Sequence, residues 1–453
     1  MNVHRGKGGV SFPPMASRSN FIFILADDLG SADLGCYGGA GAPFEVSPNI
    51  DGMARDGLRF THALANSPVC SPTRFALLTG RYQYRFRGAA EEPLGSSERG
   101  SSVLGLPPSI PTLASRLRDA GYRTALTGKW HLGYAPAFGP RKSGYDYFYG
   151  ATSGAIDYFT HKDSRGTHDL WENETEVHED GYFTDLVSDR AVNWISKQSS
   201  EQPFLLSVHY TAPHWPWETR DDAAEALRIT PRISHNDGGS LDKYWRMIHH
   251  MDEGIGRILA ALAAKGLDDN TLVVFTSDNG GERFSKNWPF VGGKMDLLEG
   301  GLRVPLVARW PARIKAGGVS ATPNLTMDWT ATMLRAAGLM DDGDAPLDGV
   351  DLAPVLADPA LNPPRKLYWR MNYRKQRALR DGRWKYLMVD AHEYLFDVET
   401  DAREKANVAK REPDRMTAMR ADWEAWALSM PGIPEDAKVH LVYGEANIPR
   451  ATG

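Results

Sequence analysis

Residues 21–28 read Phe21-Ile22-Phe23-Ile24-Leu25-Ala26-Asp27-Asp28: six apolar residues without a polar break, closed by two carboxylates. Such a run is too short for an amphipathic helix and too continuous for a strand with one wet face. It reads as a strand buried on both faces, the central strand of a parallel sheet. Working outward, Arg123–Leu126, Phe204–Val208, Thr271–Phe275 and Val304–Ala308 read as further buried strands. Helical stripes separate them. Ser109–Gly121 carries Ile110, Leu113 and Leu117. Phe183–Lys197 repeats Phe183, Val187, Ala191, Trp194 and Ile195, and Leu241–Leu262 has the longest stripe. The alternation predicts an α/β fold, a large mostly parallel sheet sandwiched by helices. After about residue 355 the pattern changes. Leu367–Arg370, Gln376–Arg380 and Trp384–Val389 are short strands split by turn signals such as Asp381-Gly382, and a polar helix over Glu412–Leu428 follows. We expect a flexible leader over 1–19, an α/β domain over 20–355, and a small C-terminal antiparallel-sheet subdomain over 356–453. Residues 134–181 have no clear period and read as a functional loop region.

The 453 residues carry 52 basic and 57 acidic side chains, a net charge of −5. That balance excludes a strongly basic nucleic-acid binder. Two cysteines, Cys36 and Cys70, cannot build a disulfide framework. No apolar segment has the length of a signal h-region or a membrane span, so the expectation is a soluble cytoplasmic protein, or a periplasmic one if a leader has been removed. No nucleic-acid or membrane partner is expected.

In open α/β sheets ligands bind beyond the carboxyl ends of the strands. Asp27-Asp28 ends the first strand, and Ser277-Asp278-Asn279-Gly280 ends the strand at 271–275. His209 through His214 follows Phe204–Val208, and Gly128-Lys129-Trp130-His131 follows Arg123–Leu126. Three carboxylates and an amide oxygen at one edge form the oxygen-rich set that hard cations such as Ca²⁺ or Mg²⁺ take. Without a cation the carboxylates would repel one another. Either pair alone reads more simply as a turn or helix cap, and it is the occurrence of both at strand ends that favours the metal reading.

The segment Cys70-Ser71-Pro72-Thr73-Arg74-Phe75-Ala76-Leu77-Leu78-Thr79-Gly80-Arg81 resembles the signature of the type I sulfatases, a family of the alkaline phosphatase superfamily: Cys-x-Pro-x-Arg with a Leu-Thr-Gly tail. Other elements resemble the family in order: Ala26–Gly30 with Asp33–Gly38, Ser47–Asp51, Gly128–Gly133, Ala212-Pro213-His214, Ser277–Gly280, Gly293-Lys294 with Glu299–Pro305, and the tail Leu379–Tyr386 with Tyr394–Asp397. The resemblance covers roughly residues 20–408, and its weakest part is the loop at 134–181.

The resemblance implies hydrolysis of sulfate monoesters, aryl or carbohydrate, by an arylsulfatase-like enzyme. It implies that a formylglycine-generating enzyme converts Cys70 to Cα-formylglycine. One hydroxyl of the aldehyde hydrate would attack sulfur, and the other would lose a proton to expel sulfate, which splits the hydrolysis into two steps. The implied metal, Ca²⁺ with Mg²⁺ as the alternative, would sit on Asp27, Asp28, residue 70, Asp278 and Asn279. Asp278 would be the base for the attacking hydroxyl. Arg74, Lys129 and Lys294 would face the sulfuryl group, His131 would take the proton from the second hydroxyl, and His214 with Lys294 would protonate the leaving oxygen. His62, His161, His168, His249 and His250 receive no role. Trp215, Trp217, Trp288, Tyr158, His161 and Arg374 are candidates for the substrate rim, with packing an equal reading for each Trp. A phosphate or phosphonate ester hydrolase of the same superfamily is the alternative.

Overall fold

The computed structural model describes residues 18–39, 41–229, 233, 238–339 and 346–441. Most of the expected leader therefore lies outside the described residues, as do residues 442–453 at the end of the C-terminal subdomain.

Ten strands form one large sheet. In spatial order they are Gly318–Ser320, Leu58–Phe60, Leu306–Arg309, Thr271–Ser277, Asn20–Ala26, Phe204–His209, Arg123–Gly128, Tyr147–Gly150, Trp171–Glu172 and Thr175–Glu176. Asn20–Ala26 lies at the centre and runs parallel to both neighbours, as its unbroken apolar sequence requires. Ile22, Ile24 and Ala26 enter one core with the helices Phe183–Ser196 and Leu241–Ala264. Phe21, Phe23 and Leu25 enter the other with Leu113–Asp119 and Asp328–Ala336. Thr112 caps Leu113–Asp119 with a capping box, accepting from the Ser115 amide while Ser115 returns the bond.

Two sequence expectations need adjustment. Leu306–Arg309 runs antiparallel to Thr271–Ser277. The only helix between them is the four-residue turn Glu299–Leu302, which is too short to carry the chain back to the far edge for a parallel crossover. The region 134–181 is also not structureless. It supplies the strand Tyr147–Gly150 and the hairpin Trp171–Glu172 with Thr175–Glu176, whose pairings are too short to show a period.

Lys366–Arg370, Arg377–Asp381, Trp384–Val389 and His392–Asp397 form a separate four-stranded antiparallel sheet, with the helix Pro413–Leu428 packed on it. It is tied to the main sheet by a buried ionic network. Glu299 accepts from Arg303, Arg380 and Lys385, and Lys385 also pairs with Glu404. Burial opposes the charge on Glu299, but the three cations hold its carboxyl well below the usual range. Removing one partner of such a network strands the others without compensation. Glu299→Gln should therefore cost about 3–5 kcal/mol, read as a lowered denaturant midpoint. A loss under about 1 kcal/mol would show that the network is dispensable.

Candidate active site

The register of the central strands sets the site. Ala26 lies opposite Ser277, Leu25 opposite His209, and Gly128 opposite His209 on the next strand. The residues that follow each strand therefore emerge at one edge. Gly128 has a φ of +106°, and a Cβ there would lie 1.9 Å from His209 O, so only glycine fits that crossing. Asp28 and His131 also occupy the left-handed region, at φ 63° and 58°. Such backbone strain in residues with side chains concentrates at functional sites.

Cys70 is the first residue of the helix Cys70–Thr79, which ends on Gly80 in the left-handed conformation. Arg74 lies one turn on and so shares the face of Cys70. Its guanidinium, with no exposed surface, donates from Nε to Asp278 Oδ2 at 3.0 Å and from Nη1 to Lys129 O at 3.2 Å, while Nη2 lies 2.9 Å from the same Asp278 oxygen as an ion pair. Lys129 Nζ pairs with Asp27 Oδ2, and Lys294 Nζ with Asp28 Oδ2 at 2.7 Å. His214 Nε2 lies 3.5 Å from the same Asp28 oxygen, while its Nδ1 faces Trp215 O at 2.7 Å. Asn279 Nδ2 donates to Asp28 Oδ1 at 2.7 Å. His131 Nε2 faces Leu94 O at 2.8 Å, leaving Nδ1 buried without a partner. None of these ten residues is more than 4% exposed, so their charges act with little solvent screening.

Burial opposes ionisation of Asp27, yet Lys129, His214, Arg74 and Lys294 hold it well below the usual carboxylate range. Burial and the neighbouring Asp27 push Asp278 up to about 7. Burial, reinforced by Asp27, pushes the Cys70 thiol well up. His131 is pulled well down by burial and Lys129, and His214 to about 4 by burial and Lys294.

Asp27, Asp28, Cys70 and His214 each bring a ligating atom within 4.8 Å of the others. Asp27 Oδ1 and Asn279 Oδ1 are buried without hydrogen-bond partners. Unpaired buried oxygens beside paired carboxylates fit a hard divalent cation. Asp278 lies outside that four-residue group. It borders the group through the Asp28 amide, which donates to Asp278 Oδ1 at 3.4 Å. Contrary to the simplest charge argument, the three carboxylates here are not bare, because Arg74, Lys129 and Lys294 each sit on one.

A family model described as Sulfatase matches residues 19–339. The chain belongs to the sulfatase family. Human N-acetylgalactosamine-6-sulfatase is 33% identical over 387 residues, covering 81% of this chain and 70% of that protein. Mouse steryl-sulfatase is 32% identical, covering 76% and 66%. The crystal structure of Ps i-CgsB in complex with k-i-k-neocarrahexaose superposes with a TM-score of 0.80 at 32% identity, covering 92% of this chain and 94% of that one. This sulfatase is thus a sulfuric ester hydrolase with the expected mixed, mostly parallel sheet. The cytoplasmic expectation is overturned: relatives and structural neighbours, among them lysosomal N-acetylgalactosamine-6-sulfatase, steryl-sulfatase and Bacteroides sulfatases, are as a group secreted, lysosomal or periplasmic rather than cytoplasmic. A targeting leader takes no part in packing, so the sequence of a folded domain does not report its address. Among the described residues, no helix is long and apolar enough to cross a membrane.

The rim expectation changes as well. Tyr158, His161 and Trp217 are buried, Trp217 edge-on against Phe284. Arg374 pairs with Asp390. Trp215 packs against the His214 ring at 4.4 Å, and Trp288 is 64% exposed with Arg403 over its face.

Sequence reasoning passed over several supports of this sulfatase's site. Tyr158 OH donates to His214 O, and Thr152 O accepts from the His131 amide. Both come from the aperiodic 134–181 region. Gln376, just ahead of the strand Arg377–Asp381, donates to Met295 O and accepts from the Leu297 amide, fixing the segment that carries Lys294. His209 is fully enclosed beside Arg74 and Asp27, with neither ring nitrogen partnered. Its only sequence signal is its place at the end of Phe204–His209.

Proposed function

We propose that this sulfatase removes sulfate from carbohydrate sulfate monoesters, using Cys70 matured to Cα-formylglycine by a formylglycine-generating enzyme. The proposed metal is Ca²⁺, on Asp27, Asp28, residue 70, Asp278 and Asn279. The observation that carries the reading is the enclosure of residue 70 within 4.8 Å of Asp27, Asp28 and His214, at the start of the Cys-x-Pro-x-Arg helix. The names of N-acetylgalactosamine-6-sulfatase and the neocarrahexaose complex support a saccharide substrate.

When present, the aldehyde hydrate supplies a hydroxyl nucleophile, and the cation supplies an electrophile for a sulfate oxygen. The remaining work falls to this chain's side chains. Lys129 and Lys294 sit on Asp27 and Asp28 in this structure. With those carboxylates engaged by a divalent ion, both ammonium groups would lie beside the bound sulfate anion and offset its charge in a buried site. Arg74 stays on Asp278 and orients it as the base. His131, with Nε2 committed to Leu94 O, offers Nδ1 as the atom that holds a proton. Lys294 Nζ and His214 Nε2 meet at one Asp28 oxygen, so a leaving oxygen placed there would have Lys294 in reach as a proton source, and His214 whenever its ring is in the imidazolium form.

Exhaustive chelation should abolish turnover, and Ca²⁺ should restore it more fully than Mg²⁺, because a carboxylate and amide set suits the larger, less geometrically strict ion. Full activity in protein shown metal-free by elemental analysis would remove the cation from the mechanism. On fully modified enzyme, kcat/KM should be higher for a sulfated oligosaccharide than for a simple aryl sulfate. The reverse order would assign the pocket to aryl esters.

A further inference from the structure

We propose a second metal site, for a borderline transition ion of the Zn²⁺ class, formed by His168, Glu176 and His178 on the outer edge of the large sheet. Trp171–Glu172 and Thr175–Glu176 pair as an antiparallel hairpin, and Thr175–Glu176 is the last strand of the ten-stranded sheet. Pairing continues through the Val177 amide, which donates to Leu170 O at 2.9 Å, and this holds the backbones beside His168 and His178 together. The three side chains each bring a ligating atom within 4.8 Å of the other two. The two imidazole rings stack with centroids 4.2 Å apart, and His178 Nε2 lies 3.5 Å from Glu176 Oε1.

His168 is the anchored ligand. Its Nε2 sits 2.9 Å from Val177 O. Donation there orients the ring and leaves the lone pair on Nδ1, as the outer hydrogen bond of a metal-bound histidine does. His178 and Glu176 are 76% and 44% exposed at their side chains, so they can close on an ion by rotating without repacking. Zn–N bonds of about 2.0–2.1 Å need donors closer together than the present limit, a movement of about 1 Å. Two imidazoles and one carboxylate select Zn²⁺ or its neighbours over Ca²⁺, while the all-oxygen active-site set does the reverse. The two sites are therefore chemically separable, and the three protein ligands leave a fourth position for water.

An ion here would pin the hairpin that ends the sheet, an edge otherwise held by two-residue strands. It would also immobilise the segment next to Asp169, whose carboxylate accepts from the Thr152 and Ser153 amides.

The test is Zn²⁺ titration of the full chain, chelator-stripped and then saturated with Ca²⁺, followed by calorimetry. One Zn²⁺ per chain should bind in the presence of Ca²⁺. His178→Ala and His168→Ala should each weaken it by at least the roughly 10–100-fold that loss of a supporting group costs. Co²⁺ in the same site should give visible absorption bands that vanish in either variant. Sulfatase activity on Ca²⁺ alone should persist in His178→Ala, which confirms that the variant is folded. Absence of Zn²⁺ binding, its displacement by Ca²⁺, or unchanged affinity in either variant would overturn the proposal.

Discussion

Cys70→Ala should abolish sulfate-ester turnover while leaving the fold intact. The side chain is 1% exposed and packs at the start of a fully buried helix, so removing its terminal atom costs little structure. Chemically it removes the proposed nucleophile. Loss of a covalent nucleophile in a hydrolase lowers kcat by as much as about 10⁶-fold. The unmodified thiol is no substitute. A thiolate is the reactive form of cysteine, and here burial and Asp27 push the thiol well up. Protein from a host without a formylglycine-generating enzyme should therefore be as inactive as Cys70→Ala, with the same melting behaviour. Turnover should scale with the fraction of the Cys70 peptide found by mass spectrometry as aldehyde or hydrate. A fully active preparation in which that peptide carries only the thiol would refute the mechanism.

The second large effect concerns His214. Lys294 Nζ and His214 Nε2 face the same Asp28 oxygen, at 2.7 and 3.5 Å. Proton donation there matters in proportion to the basicity of the departing oxygen. A sugar alkoxide needs the proton and a nitrophenolate does not. General acid catalysis contributes ~10²–10⁴-fold. His214→Ala should lose much of that factor on a sugar sulfate and far less on a nitrophenyl sulfate. His131→Ala should slow both alike, because in the proposed mechanism its Nδ1 serves sulfate release after the alcohol has left. The comparison is made under conditions where chemistry limits the rate. Equal losses for His214→Ala across leaving groups of widely different acidity would reduce this histidine to a sulfate-binding role.

Much of the architecture was legible in one dimension. The unbroken run Phe21–Ala26 could be satisfied only by apolar contact on both faces, so it announced a central parallel strand, and Asp27-Asp28 announced where it stops. The stripe over Leu241–Leu262 fixed its helix for the same reason, since an apolar face with a helical period has one way to be buried. Cys70–Arg81 carried enough specific side chains to mark the family, and the motif order placed the candidate site residues before any distance was known.

Other features depended on contacts between segments far apart in sequence. The antiparallel run of Leu306–Arg309 follows from the lack of a crossover helix, and strand direction leaves no mark on composition. The pairing of Arg74, Lys129 and Lys294 with Asp278, Asp27 and Asp28 joins residues more than a hundred positions apart, so the sequence showed the charges but not their balance. Tyr158 and Thr152 brace the two catalytic-candidate histidines from a region without period, and Gln376 and Glu299 join the Lys294 segment to the C-terminal sheet. Local sequence determines which face of a strand or helix must be buried and where a motif's chemistry lies. Which buried polar group meets which is decided only when the segments pack, because each such group must find its partner in space.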